Sequence, residues 1–183
     1  MKCTDLLMQE HKVILRCLYV LEEMGCCIER GEYISQADVK SVIGFLREFA
    51  DDHHQGKEES ALFPELRRTS AGSQEALRHM TFEHDQERSL VEGLEDALLT
   101  KRGTEFVHFA RRLTALIRTH IRKEENILFP IAEQCLSKEQ DERVTEELQH
   151  FQIRVDFLAD LHRLEWTYLR RTASSRRASS RTA

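Results

Sequence analysis

One eleven-residue stretch of this chain occurs twice, and it restricts the fold more than any other feature. The first copy, His-Gln-Gly-Lys-Glu-Glu-Ser-Ala-Leu-Phe-Pro, covers residues 54–64. The second copy, His-Ile-Arg-Lys-Glu-Glu-Asn-Ile-Leu-Phe-Pro, covers residues 120–130. Seven of the eleven positions are identical, the copies lie 66 residues apart, and each copy ends at one of the chain's two prolines. The chain is therefore expected to consist of two similar halves.

Each copy begins with a histidine that is followed four residues later by a glutamate, His54 with Glu58 and His120 with Glu124. In a helix, residues four apart lie on one face, so both side chains can reach the same point. Imidazole and carboxylate are metal ligands, and two such pairs facing each other would hold two metal ions. The alternative is a solvated His–Glu contact on a charged helix face. The duplication, with the same Leu-Phe-Pro after each pair, favours the metal site, because the Leu and Phe would anchor each helix in the core.

The composition predicts an all-helical protein. The chain has 183 residues, 40% of them hydrophobic, which is enough for one domain with a sizeable core. Only seven residues are glycine and two are proline, while Glu, Leu, Arg and Ala are abundant. The helical spacing of apolar residues predicts five segments: from Thr4 or Asp5 to about Arg30, from a Ser35 cap to near Pro64, from a Ser73 cap to about Thr100, from Thr104 through the second copy, and from about Lys138 to Arg170.

These segments suggest three parts of the chain. Residues 1–136 are predicted to form the bundle, and residues 137–170 a C-terminal helix that packs on the bundle or at a dimer interface. Its inward stripe is expected to include Val144, Leu148, Leu158 and Trp166. Residues 171–183 form a basic Ser/Arg tail that is predicted to be disordered. Pro64 should kink or stop its helix within a turn.

Two further histidines occupy matching places in the two halves. His11 lies 43 residues before His54, and His84 lies 36 residues before His120. Each half is thus a helix with one histidine, a turn, and a helix with the His-x-x-x-Glu pair. Two such hairpins make an up-down four-helix bundle with a histidine on every inner face. The candidate metal ligands are His11, His54, Glu58, His84, His120 and Glu124.

This pattern resembles the hemerythrin-like, or HHE cation-binding, domain over roughly residues 5–135. The resemblance is carried by the six candidate ligands, the Glu83-His84 dipeptide and both Glu-Glu-x-x-Leu-Phe-Pro endings. It implies two non-heme iron ions (Fe2+/Fe3+) with a bridging oxo or hydroxo group. It also implies that Glu58 and Glu124 bridge the two irons.

One position departs from the family's oxygen carriers, which place His-x-x-x-His on the third helix. Four residues before His84 this chain has Met80, and a thioether is a poor iron ligand beside imidazole and carboxylate. Glu87 is the best-placed substitute by helical angle, whereas Glu83 and His79 are rotated about 100° and 140° from His84. Either that ion has an additional open position, or a Glu or water fills it. Both outcomes disfavour simple reversible oxygen carriage.

The candidate ligands indicate a di-iron protein that binds or senses oxygen, nitric oxide or peroxide, or that handles iron. Ferritin-like sites use four carboxylates with Glu-x-x-His spacing, whereas the repeated motif of this chain has His-x-x-x-Glu. An alternative is an enzyme that consumes peroxide or nitric oxide, with Glu87 or Glu59 as a proton relay. A third hypothesis is a metal-free interaction module that uses the C-terminal helix as its functional surface.

The remaining features bear on partners and compartment. The net charge is −5 and the basic residues form no stripe, so nucleic acid is not an expected partner. No apolar run is long enough to span a membrane and no secretory stretch is present, so a cytoplasmic location is expected. Five cysteines without a Cys-x-x-Cys motif disfavour a disulfide framework, while the adjacent Cys26 and Cys27 could form a redox pair or be ordinary helix-end cysteines. A homodimer through the C-terminal helix stays open.

Overall fold

The computed structural model of the protein describes residues 2–69, 74–152 and 156–179, and residues 171–179 as backbone alone. This part of the chain is helical throughout, as predicted. The α-helices are α1 (Cys3–Glu29), α2 (Gln36–Phe45), α3 (Phe63–Thr69), α4 (Gln74–Leu99), α5 (Gly103–Lys123), α6 (Phe129–Cys135), α7 (Lys138–Gln149) and α8 (Asp156–Ser179). The wider π-helical segments are π1 (Leu46–Gln55), π2 (Glu58–Leu62) and π3 (Glu124–Leu128).

Four antiparallel rods form the predicted up-down bundle. The first rod is α1, the second runs from α2 through π1 and π2 to α3, the third is α4, and the fourth runs from α5 through π3 to α6. Tight turns reverse the chain, with Gly31 at φ +70° and Lys101 at φ +55° in the left-handed region. Ser35 caps α2 as expected, since its side chain accepts a hydrogen bond from the N–H of Asp38. The predicted cap Ser73 lies outside the described residues.

Neither proline ends its helix, so the stop that was one of the two expected outcomes at Pro64 does not occur. The second rod continues past Pro64 to Thr69, and the fourth continues past Pro130 to Cys135. A π-helical turn precedes each proline, and in it the N–H of Phe63 or Phe129 bonds back five residues to the preceding motif glutamate. A proline ring clashes with the carbonyl four residues earlier in an α-helix. The wider π turn relieves that clash, so the helix continues.

The bundle core consists of two apolar clusters with a polar layer between them. The lower cluster contains Cys3, Leu7, Ala61, Leu62, Phe63, Leu66, Leu77, Met80, Leu128, Phe129, Ala132, Val144 and Leu148. The upper cluster includes Leu18, Leu21, Val42, Phe45, Leu94, Leu113 and Ile117. His11 lies on α1 between Leu7 of the lower cluster and Ile14 of the upper one, and it is fully buried. The polar layer is therefore held between two packed apolar regions.

The C-terminal segment packs on the bundle, but it is not the single helix that the sequence predicts. It breaks after Gln149, and its two parts cover different regions, since α7 buries Val144 and Leu148 in the lower cluster whereas α8 packs on α1 and α2. One straight helix could not cover both. The break also changes the helical phase, so Leu158 and Trp166 are 44% and 63% exposed instead of inward-facing.

Side-chain bonds tie α8 to α2. The carboxylate of Asp38 accepts hydrogen bonds from the guanidinium of Arg163 at 2.6 Å and from the hydroxyl of Tyr168 at 2.9 Å. Leu161, Leu164 and Tyr168 are buried in the upper cluster. The bundle therefore has an additional C-terminal helix, as the fold prediction states.

The chain end and the cysteines complete the fold. Helix α8 continues nine residues beyond Arg170, the predicted end of the C-terminal helix, because no helix breaker occurs before Ser179. Residues 180–183 lie outside the described residues, and the disordered tail stays a prediction. None of the described helices has both the length and the apolar character needed to cross a membrane. All five cysteines are free thiols, and burial together with a hydrogen bond to Glu32 raises the pKa of Cys27 to about 11, which disfavours a reactive Cys26–Cys27 pair.

Candidate metal centre

The structure brings all six predicted ligands together in the polar layer. His11 lies on α1, His54 on π1, His84 on α4 and His120 on α5. Glu58 is the first residue of π2, and Glu124 is the first residue of π3. All six side chains are buried, and Glu58 and Glu124 have no exposed surface. The motif residues Leu62, Phe63, Leu128 and Phe129 are equally buried and fix the rotation of the two motif helices, as the sequence predicts.

The six side chains form two overlapping groups that share both glutamates. One group consists of His11, His54, Glu58 and Glu124, and the other of Glu58, His84, His120 and Glu124, each with its ligand atoms within 4.8 Å of one another. Glu124 lies 3.1 Å from the Nε2 atoms of both His11 and His120. Glu58 lies 3.8 Å from Nε2 of His54 and 3.5 Å from Nε2 of His84. Each carboxylate therefore faces one histidine of each half, as bridging ligands of two ions would.

The ligand atoms lack the hydrogen bonds that buried polar atoms normally make. Nε2 of His11, Nε2 of His54 and all four carboxylate oxygens of Glu58 and Glu124 are buried without a hydrogen-bond partner among the described residues. The Nε2 atoms of His84 and His120 point at each other across 3.1 Å. Leaving such groups unpaired inside a protein costs several kcal/mol, roughly 1–3 for each group and more for charged ones. Two bound cations would satisfy all of these atoms, so the donor set fits a metal pair.

A carboxylate hydrogen-bonds the outer nitrogen of every ligand histidine. Glu125 contacts Nδ1 of His11 at 2.9 Å, and Glu10 contacts Nδ1 of His54 at 2.9 Å. Glu59 contacts Nδ1 of His84 at 2.6 Å, and Glu83 contacts Nδ1 of His120 at 3.0 Å. These four glutamates are the supporting carboxylates. An Nδ1–H that donates to a carboxylate fixes the tautomer and leaves Nε2 free as a metal ligand. All four rings are thus prepared to bind metal through the nitrogen that faces the centre.

The match to protein families agrees with this geometry. Residues 3–132 match the hemerythrin HHE cation-binding domain. The chain belongs to the hemerythrin HHE cation-binding family. Neither a curated protein nor a solved structure gives a significant match to it. The two overlapping groups indicate that this HHE domain holds a binuclear metal site.

Residues of one half of the HHE domain support histidines of the other half. Glu59 of the first half bonds His84 of the second, and Glu125 of the second half bonds His11 of the first. The phenylalanines of the two motifs cross in the same way. The ring of Phe63 stacks on His84 with the centroids 5.9 Å apart, and the ring of Phe129 stacks on His11 with the centroids 5.5 Å apart. Neither half of the HHE domain alone would hold its histidines in place.

The motif lysines pair with two of the supporting carboxylates. Lys57 contacts Glu10 and also lies 2.8 Å from Nε2 of His53, so His53 belongs to the supporting network and not to the ligand groups. Lys123 contacts Glu83 in the corresponding place of the second half. Burial opposes the charge on Glu83, but hydrogen bonds from His120 and Lys123 outweigh it and lower the pKa of this carboxyl to about 2. The supporting carboxylate is therefore ionised at neutral pH.

When no metal is bound, three of the ligand histidines, His11, His84 and His120, hold a proton more tightly than an ordinary imidazole. Burial disfavours the charged form of His84, yet the neighbouring Glu58 carboxylate at 3.5 Å and the hydrogen bond to Glu59 outweigh burial and raise the pKa of His84 to about 9. Glu124 acts on both His11 and His120 in the same way, and the pKa values of these imidazoles are raised despite burial. Metal ions must displace these protons, because only the neutral ring is a ligand.

The three residues considered as substitutes for a ligand at Met80 lie outside both groups. Met80 itself is buried in the lower cluster. Glu83 supports His120, and His79 is half-exposed with its Nε2 2.9 Å from Nζ of Lys123. Glu87 is buried beside the centre, where its carboxylate accepts a hydrogen bond of 2.6 Å from the amide of Gln55. None of the three joins a ligand group, so the alternatives at this position stay open.

Sequence reasoning identified the six clustered residues of the HHE domain but missed most of the supporting network. It weighed Glu59 only as a proton relay, whereas Glu59 bonds His84. The sequence does contain a signal for these supporting carboxylates, because each of them is the direct neighbour of a candidate ligand. Glu10 and Glu83 come immediately before His11 and His84, and Glu59 and Glu125 come immediately after the motif glutamates. Adjacent residues on a helix point about 100° apart, so the neighbour of a ligand faces the next rod. Which histidine each supporting carboxylate reaches can be seen only once the four rods are packed together.

Proposed function

We propose that this protein is a non-heme di-iron protein that binds or senses a small oxidant, namely oxygen, nitric oxide or peroxide. The observation that carries the proposal is the pair of overlapping ligand groups with both glutamates in common. Two ions in these groups would each have two imidazoles and share two carboxylates. Other coordination positions would then be free for a small molecule, because iron commonly takes more than four ligands.

The chemistry of the donor set supports iron. Imidazole suits zinc, copper, iron and nickel, whereas carboxylate suits harder ions, and a mixture of the two is typical of non-heme iron. Four neutral imidazoles and two carboxylates leave two ferrous ions with a net positive charge, unlike the carboxylate-rich sites of ferritin-like proteins. Such a site stabilises the ferrous state and favours ligand binding over ferric storage. When bound, iron would supply redox chemistry and the coordination of the small molecule.

The chain's own residues orient and protect the centre. The supporting carboxylates hold each ring with Nε2 facing inward, and the stacked phenylalanines restrict rotation of His11 and His84. The two apolar clusters exclude water above and below the polar layer. A metal-free interaction module is disfavoured, because that role gives no reason to bury four inward-facing imidazoles and two shared carboxylates together, which costs free energy.

An anaerobic ferrous titration tests the proposal. We expect uptake to saturate at about two irons per chain, with a change in visible absorbance when the loaded protein is exposed to air, to nitric oxide or to peroxide. Saturation at one ion per chain, or a loaded protein whose spectrum is unaffected by all three oxidants, would contradict it. Zinc-loaded protein serves as the control, because zinc fills the ligands without redox change.

A second candidate function is an enzyme that consumes peroxide or nitric oxide. It is favoured by Glu87, because burial raises the pKa of this carboxyl to about 7, which suits a group that transfers protons near neutral pH. Catalytic turnover distinguishes the enzyme from the sensor. A sensor would react with about one equivalent of oxidant, whereas an enzyme would consume a large excess and, with peroxide, evolve oxygen.

A further inference from the structure

A cavity of about 150 Å³ lies between π1, α4 and α5 and is separate from the two ligand groups. Its wall is largely apolar, including Ala50, Val91 and Ile117. At one side it is lined by Asp51 and Arg88, which are partly exposed and joined by an ion pair of 2.8 Å. The cavity is thus large enough for several waters or one small ligand, with a polar edge toward solvent.

The other end of the cavity is lined by Gln55 and Glu87, both of them buried. The Nε2 amide of Gln55 donates to one oxygen of Glu87 at 2.6 Å, and this bond fixes the orientation of the amide. Oε1 of Gln55 and Oε1 of Glu87 are then left buried without a hydrogen-bond partner among the described residues. A molecule in the cavity that donates two hydrogen bonds would satisfy both of these oxygens.

This inner end adjoins one particular half of the metal centre. Glu87 lies one turn after His84, and Ile117 lies one turn before His120. Glu87 and Ile117 therefore lie next to the two histidines of that ligand group.

We propose that this cavity is the access route and binding site for hydrogen peroxide, which Gln55 and Glu87 hold by its two O–H donors beside the ion bound by His84 and His120. This inference rests on the proposed function and specifies its oxidant. Peroxide is small, uncharged and a double donor, so it fits an apolar passage that ends in two acceptors. Oxygen and nitric oxide have no hydrogen to donate and would pass through without being held.

The passage itself can be tested in crystals of the metal-free protein under xenon. Apolar cavities of this size bind xenon, so we expect one xenon site in the wild type and none in Val91→Phe, whose ring would fill the space. Ala50→Leu fills the opposite wall and serves if Val91→Phe does not fold. The access route would be refuted if the wild type shows no xenon density, or if a variant that folds shows the same xenon density as the wild type. This result does not depend on iron.

The hydrogen-bonding role is tested by stopped-flow mixing of the reduced, iron-loaded protein with peroxide and, separately, with nitric oxide. We expect Gln55→Leu and Glu87→Leu to react with peroxide about five- to tenfold more slowly, as the loss of one hydrogen bond implies, and with nitric oxide within about twofold of wild type. Val91→Phe should slow both reactions. Leu116→Phe, which adds a ring in a groove on another face between α4 and α5, is the matched control and should slow neither.

The outcomes separate this inference from the proposed function. Unchanged peroxide rates in Gln55→Leu, Glu87→Leu and Val91→Phe, with about two irons in each, would overturn the inference and leave the di-iron function standing. Equal slowing of peroxide and nitric oxide in Gln55→Leu would show that Gln55 acts through the neighbouring His54 and would overturn its role as an acceptor. Wild-type protein without iron would refute the proposed function, while the xenon result would still decide the passage.

Discussion

The two shared glutamates differ from the four histidines in what each contributes to the centre. Glu58 and Glu124 belong to both ligand groups, whereas each histidine belongs to one. Removing a shared ligand should therefore affect both ions. Removing a histidine leaves the opposite group with its full set of side chains.

We expect Glu58→Ala and Glu124→Ala to lose nearly all iron, and His11→Ala to retain about one iron per chain. The retained ion would lie in the group of His84 and His120, which does not include His11. Metal analysis of protein purified from iron-replete cells measures this. Complete loss in all three variants, or retention of two irons in a glutamate variant, would contradict the shared role of the carboxylates.

The supporting carboxylates allow a test that leaves every ligand in place. Glu125→Gln keeps the shape of the side chain at His11 but replaces its charge. We expect iron affinity at the first group to fall about tenfold or more, the usual effect of removing a carboxylate behind a metal-bound histidine. Competition with a calibrated chelator measures it. Glu22→Gln, which removes a carboxylate paired with Arg118 at the surface, is the control and should leave affinity unchanged.

At the scale of the helices, α8 is held by a polar contact that lies far from the metal centre. Asp38→Ala would remove the acceptor of the buried Tyr168 hydroxyl and of Arg163. We expect the free energy of unfolding to fall by about 1–3 kcal/mol, because the hydroxyl is left buried and unpaired. Chemical denaturation measures the loss, and iron content should stay at the wild-type level. A stability equal to wild type would mean that this contact does not hold α8 on the bundle.

The four rods of the bundle could be predicted from the sequence, but the places where a helix becomes π-helical or breaks could not. The spacing of Leu46, Ala50 and His54 indicated one inward face, and all three residues are buried. The π-helical turns before Pro64 and Pro130 were not predictable, because closing a turn over four or five residues depends on packing around it. The break after Gln149 had no glycine or proline to signal it. It arises because α7 and α8 pack on different clusters, which only the assembled bundle defines.

For the molecule as a whole, metal binding and folding are linked through protons. In the metal-free protein His84 has a pKa of about 9, raised from an ordinary value near 6.5. Its charged form therefore stabilises the metal-free fold fully below pH 6.5, and this contribution is lost as the pH rises through 9. Metal binding needs the neutral ring, so protons compete with metal most strongly at the lower pH.

We expect the increase in unfolding temperature on metal loading to be larger at pH 8.5 than at pH 6.5. Zinc is the suitable probe, because it does not oxidise during heating. Calorimetry in buffers of different ionisation enthalpy should also show proton release on loading at neutral pH. A stabilisation that is equal at both pH values, with no proton release, would contradict protonated histidines at the centre.

The most direct test of the account is an anomalous-scattering map at the iron edge from crystals of iron-loaded protein. We predict two peaks, about 3.5–4 Å apart as in other two-metal sites. One peak should contact Nε2 of His11 and His54, the other Nε2 of His84 and His120, and both should contact the carboxylates of Glu58 and Glu124. One peak alone, or a second peak outside these six side chains, would contradict the shared di-iron centre.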